Sequence, residues 1–153
     1  MLDKDIINYL KKKLNTLIES TNSIHASLIT EDGLIIITSG ESEDKIDNIS
    51  SFAAISSSIL AMAESGIEII NKNKNLQQIK IDAEYKVKED SYEDYVILIT
   101  RILSNVLLKL IYPKKIKFGL IQYEVSLIIN EIREILVKNG NLEIILSKVG
   151  SLL

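Results

Sequence analysis

The chain has 153 residues, enough for one domain with a sizeable core, and its 46% apolar and 25% charged content is ordinary for a globular protein. Its formal net charge of −3 gives no electrostatic ground for nucleic acid binding, which normally rests on a basic surface. It has no cysteine, so disulfides, thiolate metal sites and cysteine nucleophiles are excluded.

The stretch Met1–Lys13 is charged and helical in pattern rather than signal-like. No uninterrupted apolar run reaches the roughly 18 residues of a membrane span. The expectation is a cytoplasmic protein with no direct membrane insertion. The lysine clusters Lys11–Lys13 and Lys114, Lys115 and Lys117 read as solvated surface.

From Leu2 to Thr21, Ile7, Leu10, Leu14, Leu17 and Ile18 recur at helical spacing, and Asn22-Ser23 ends the pattern. Ile24–Thr30 and Leu34–Ser39 read as strands around Glu31-Asp32-Gly33, where Asp-Gly suggests a type I′ hairpin turn. A long helix follows from Glu43 or Asp44 to Asn71, with Ser42 as N-cap and acidic Glu43 and Asp44 suited to the positive end of the helix dipole. Leu76–Ala83 alternates as a half-buried strand. Glu84–Asp94 carries seven charged residues in eleven and reads as an exposed loop or hairpin tip. Tyr95–Leu103 and Val106–Tyr112 are apolar on nearly both faces, as central strands covered on both sides should be. Pro113 stops the second. Lys117–Lys138 is a helix with Ile121, Val125, Ile128, Ile132 and Ile135 as its core stripe. Residues 1–138 form the predicted domain. In the tail 139–153, Leu142, Ile145, Leu146, Val149 and Leu152 mark a short docking helix. With short hairpin links the predicted class is α+β: a three-layer α-β-α sandwich on an antiparallel sheet.

The second helix is the most informative element. An amphipathic surface helix carries one apolar stripe a little over about 100° wide. Here Ile49, Ala53, Leu60, Ala63 and Ile67 form one stripe, and Phe52, Ile55, Ile59 and Met62 a second beside it. No residue from Asn48 to Ala63 is charged, and Ser50, Ala54, Ser57, Ser58 and Ala61 are small enough for another backbone to come close. One stripe can face the home sheet. The other is covered either by another helix of the same chain or by a partner.

The segment Ser23–Ser39, SIHASLITEDGLIIITS, resembles the first hairpin of domains of the Roadblock/dynein-light-chain superfamily, in its prokaryotic MglB-like form. ISSFAAISSSILAMAESG (Ile49–Gly66) resembles that family's Ala/Ser-rich second helix, LQQIKIDAE (Leu76–Glu84) its third strand, and FGLIQYEVSLIINEI (Phe118–Ile132) the start of its last helix. Together they cover nearly the whole chain in the family's order, while the charged segment Glu84–Asp94 and the tail are additions. The resemblance implies a Roadblock/profilin-like fold: a five-stranded antiparallel sheet with the first and last helices on one face and the second on the other. It also implies a homodimer with paired second helices and third strands joined edge to edge, and binding of small Ras-like GTPases as regulator or scaffold. On the stripe and the resemblance, the candidate dimer interface is Ile49, Phe52, Ala53, Ser56, Ile59, Leu60 and Ala63, with Ile79 and Ile81 on the third strand. The candidate partner-binding positions are Ser57, Ala61, Glu64 and Glu68.

Little points to chemistry. With one histidine, His25, and no cysteine, neither a conventional metal site nor a Ser-His triad can be assembled, and His25 reads as a structural residue. The carboxylate groups Glu41-Glu43-Asp44 and Glu89-Asp90-Glu93-Asp94 lie in solvated segments. Tyr85, Tyr92 and Tyr95 are either interface anchors or strand-end packing. No catalytic residue, cofactor or metal is expected. Two classes remain: a GTPase-binding regulator or scaffold, and a structural assembly or cargo-linking subunit that binds no GTPase.

Overall fold

The computed structural model describes residues 4–40, 46–71 and 76–138, with the side chains of 40, 46–52, 85–88, 91 and 92 outside the description. The elements follow in the order α1 (Lys4–Thr21), β1 (His25–Thr30), β2 (Ile35–Gly40), α2 (Ile46–Ile70), β3 (Gln78–Lys88), β4 (Ser91–Leu103), β5 (Val106–Pro113) and α3 (Phe118–Lys138). The expected caps Ser42, Glu43 and Asp44 and the tail helix lie outside the described residues.

The five strands form one antiparallel sheet in the order β2-β1-β5-β4-β3. β1 is buried along its whole length and β5 along nearly all of it, as strands with neighbours on both edges and helices on both faces must be. α1 ends where Asn22 takes a left-handed φ of 52°, and the Ser23 N–H donates to the Ile18 carbonyl at 3.0 Å, closing a Schellman turn.

The hairpin turn between β1 and β2 differs from the expected type I′. Gly33 alone has a positive φ there, 88°, and its N–H donates to the Thr30 carbonyl at 3.0 Å. This is a tight turn over Glu31-Asp32 followed by a left-handed glycine, a common three-residue hairpin loop. Of the two readings for the charged segment Glu84–Asp94, a loop or a hairpin tip, the structure shows the second. The segment continues the β3–β4 ladder through Glu84↔Asp94, Tyr85↔Glu93 and Lys86↔Tyr92 to Lys88↔Ser91.

Strand alternation divides the core in two. Ala26, Leu28, Val96, Leu98, Leu108 and Leu110 point to the side carrying α1 and α3, where they meet Leu10, Leu14, Leu17, Ile121, Val125 and Ile132. The other side holds a smaller cluster of Ile29, Ile99 and Leu107 under Ala53 and Leu60 of α2. The predicted three-layer sandwich is thus the observed architecture.

Candidate protein interface on the second helix

A sheet of five strands about 4.8 Å apart is some 19 Å wide between its outer strands, whereas one helix with side chains is about 10–12 Å across. Two helices cover such a face and one does not. On the α2 side the consequence is visible: Ile79, Ile81, Ala83, Ile97 and Ile111 are only half-buried.

α2 turns Ala53, Ser56, Ser57 and Leu60 to the sheet. The opposite stripe, at positions 55, 62 and 69, is left in solvent: Ile55 is 54% exposed, Met62 74% and Ile69 88%. Ser58, Ser65 and Gly66 flank it and are also exposed. Spacing of seven keeps these residues on one line of the helix. The stripe is therefore a helical seam without a partner among the described residues.

This assigns the two sequence stripes. Of the candidate interface residues, Ala53, Ser56 and Leu60 are not available to a second molecule, because they already pack on the home sheet. Ile59, Ala63, Ile79 and Ile81 remain half-open, and the side chains of Ile49 and Phe52 lie outside the described residues. Met62 and Ile69 carry most of the open surface instead.

Of the candidate partner-binding residues, Ala61 and Glu68 are exposed, but Ser57 and Glu64 are not free. Ser57 is buried because the Gly33 turn closes on it. A Cβ built at Gly33 would come within 2.7 Å of Ser57 Oγ and 2.8 Å of Ala54 Cα. Part of the small-residue surface is thus used by the chain's own hairpin.

Glu64 pairs with Arg101. The Arg101 Nε also donates to the Leu76 carbonyl at 3.3 Å and its Nη1 to the Ser104 carbonyl at 2.5 Å, while Glu31 lies 3.4 Å away. One arginine, 10% exposed in its side chain, therefore ties α2 to the ends of β3 and β4 and to the β1–β2 turn. A carboxylate opposite an arginine was not readable from residues 37 positions apart in sequence.

Beneath α2 the sheet carries a buried polar row. His25 Nε2 lies 3.2 Å from Ser27 Oγ, and Ser27 is the register neighbour of Lys109 on β5. Burial first, and then the Lys109 charge, pushes the His25 pKa down to about 4, and burial alone brings Lys109 down to about 8. His25 thus lies buried in β1 beside Ser27, in a row that points under α2. Lys109 was missed; its only signal was a lone charge inside the apolar run VLLKLIY. Among the described residues no group of three His, Cys, Asp or Glu side chains could hold a metal ion.

By length and mean hydropathy Ala53–Ile70 is apolar enough to cross a membrane, although serines, Glu64 and Glu68 interrupt it. Its packing through Ala53 and Leu60 and the Glu64–Arg101 pair make it the helix layer of a sandwich.

No protein-family model matches this sequence, and no curated protein does. Solved structures do match. MglB of Myxococcus xanthus is 14% identical, over 90% of this chain and 95% of that one, with a TM-score of 0.70. A Roadblock/LC7 domain from Streptomyces avermitilis is 16% identical, over 83% and 97%, with a TM-score of 0.67. A structure described as MglB with tetrameric arrangement is 13% identical, over 88% and 93%, with a TM-score of 0.68. At such identities the likeness is one of architecture: this chain has the Roadblock, MglB-like fold.

Proposed function

We propose that this chain is a non-catalytic protein-interaction module of the cytoplasm, that it works as a homodimer, and that the dimer binds a small Ras-like GTPase as a regulator or scaffold. The observation that carries the reading is the open seam of Ile55, Met62 and Ile69, beside a sheet face that one helix covers only in part. A second copy supplies the missing second helix and covers the half-buried Ile79 and Ile81 at the free edge of β3. The GTPase part rests on the family resemblance of the hairpin, second helix and third strand. Its contact surface on α2 includes Ala61 and Glu68, which stay exposed, and not Ser57 or Glu64.

Light scattering tests the first part: a dimer is expected at tens of micromolar protein, and a monomer there overturns it. The second is tested by binding to every Ras-like GTPase of the same cell, loaded with GTP or GDP. GTP-dependent binding to at least one is expected; no binding to any, in either state, removes the GTPase. A dimer without GTPase binding is then a structural assembly subunit, a reading favoured by the neighbour whose MglB forms a tetrameric arrangement.

A further inference from the structure

α3 leaves an apolar line uncovered on the side away from the sheet. Its buried line is Ile121, Val125, Ile128, Ile132 and Leu136. On the outside, Leu120 is 45% exposed, Tyr123 62%, Leu127 42% and Val137 65%. At about 100° per residue these four side chains share an arc of about 100°, the width of a contact stripe. α3 and α2 pack on opposite faces of the sheet, so the stripe on α3 is separate from the seam on α2.

The chain continues past Lys138 with NGNLEIILSKVGSLL, residues 139–153, which lie outside the described residues. Leu142, Ile145, Leu146, Val149 and Leu152 recur there at helical spacing. A helix as short as about twelve residues is marginal in water and needs a surface to pack on. The open surface nearest its start is Val137, next to the last residue of α3. Asn139-Gly140-Asn141 provides a glycine suited to a left-handed helix stop, and antiparallel helices need only about two to five residues between them.

We infer that residues 142–153 fold back as a helix along the outer stripe of α3 in the same chain and cover Val137 and Leu127. At about 1.5 Å per residue that helix spans about 18 Å, and Val137 lies about 15 Å along α3 from Leu127. Starting Leu142 beside Val137 therefore brings Leu152 beside Leu127. The charges fit the same course. Lys148 comes level with Glu131 and within a turn of the exposed Glu134, and Glu143 stays within a turn of Lys138. The opposite direction would need a link about as long as the helix, which Asn139-Gly140-Asn141 does not provide. Leu120, about 10 Å beyond Leu127, stays open.

The absence of cysteine gives a clean background for cross-linking in the full chain. One variant carries Leu127→Cys with Leu152→Cys, the other Leu127→Cys with Leu142→Cys, and thermal unfolding checks that both fold. Each is oxidised at low protein concentration, and disulfide formation is followed by intact mass and thiol count. A disulfide needs Cα atoms within about 7 Å. In the docked chain L127C/L152C meets this and L127C/L142C is held about 15 Å apart, so the first should close at least about tenfold faster. An undocked tail reverses the order, because the shorter loop closes faster, by about twofold. Equal or reversed rates overturn the docking. Disulfide-linked pairs of chains in place of closure within one chain mean that the tail docks on a second copy, and they overturn the fold-back. As a second measure, Val137→Ser should speed amide exchange in residues 142–153 by about tenfold, while Leu120→Ser leaves it unchanged. No effect of Val137→Ser, or an equal effect of both, overturns the placement on α3.

Discussion

The two faces of the sheet are built to different standards. On one, α1 and α3 lie side by side and bury Leu14, Leu17, Ile121 and Ile132 completely, and Lys13 reaches Glu131 across the helix pair at 2.6 Å. On the other, a single helix spans a sheet about twice its width, sets Ala53 and Leu60 on three buried sheet residues, Ile29, Ile99 and Leu107, and covers a row containing a lysine and a histidine. The first face has the finish of a core, where a missing methyl group is felt. The second is unfinished within the chain: Ile55, Met62 and Ile69 stand in solvent, and the sheet beside α2 is only half-buried. Covering is thus a property of helix count and sheet width before it is one of residue choice.

The sharpest way to break this contrast is to truncate one side chain on each face. Leu14→Ala should cost about 2–5 kcal/mol of folding stability, the usual range for a fully buried leucine. Met62→Ser should leave unfolding of the isolated chain within about 0.5 kcal/mol, as for surface sites, while weakening self-association. Urea unfolding at low protein concentration measures both, and equal losses would mean that the seam is covered within the chain.

Acid sharpens it next. The unfolded chain protonates His25 near 6.5 and the folded chain only near 4, so stability is lost as pH falls through that window, by roughly 3 kcal/mol at the full difference. Lys109 acts in the opposite range: the unfolded lysine keeps its proton to about 10.5 and the folded one releases it near 8, so stability rises between those values. His25→Asn should flatten the acid limb and leave the alkaline rise intact; an unchanged acid limb would place the titration elsewhere.

A smaller effect is expected at the clamp between α2 and the sheet. Arg101→Met leaves Glu64 half-buried without its cation and should cost about 2 kcal/mol, less than a fully buried pair because Glu64 and Glu31 keep contact with water. The same residue bears on function. The chain has two arginines, and the structure holds both: Arg101 in the clamp, and Arg133 with its Nε donating to the Ile102 carbonyl at 3.0 Å. If the protein accelerates GTP hydrolysis, folded Arg101→Met and Arg133→Ala variants should keep that acceleration to within a few-fold. Loss of an inserted arginine would cut it by about 10³ to 10⁵.

Much of the fold could be read in the sequence because each element carries its own period. Leu10, Leu14 and Leu17 mark α1, and Ile79 and Ile81 mark β3, without reference to anything distant. The two stripes of α2 were legible as well. Which of them faces home was not, since Ala53–Leu60 and Ile55–Met62 are equally apolar and only the position of the sheet decides. Ser57 and Glu64 were misjudged for the same reason: Gly33 and Arg101 reach them from far along the chain. The charge of Glu84–Asp94 left a loop and a hairpin tip equally open, because composition marks exposure and only the β3–β4 pairing decides between them.

The order of strands has a consequence for the newborn chain. β1 and β2 can close as a hairpin as soon as they leave the ribosome, but the other edge of β1 pairs with β5, and Val106–Pro113 is made only after α2, β3 and β4. At about 5–20 residues per second the open edge of β1 and both stripes of α2 wait on the order of ten seconds for the strand that completes the sheet. During that interval α2, the most apolar of the described helices, lacks the completed sheet it packs on. The demand for a holding chaperone, or for slow and dilute synthesis, should therefore be set by this helix, whose outer stripe stays in solvent even after folding.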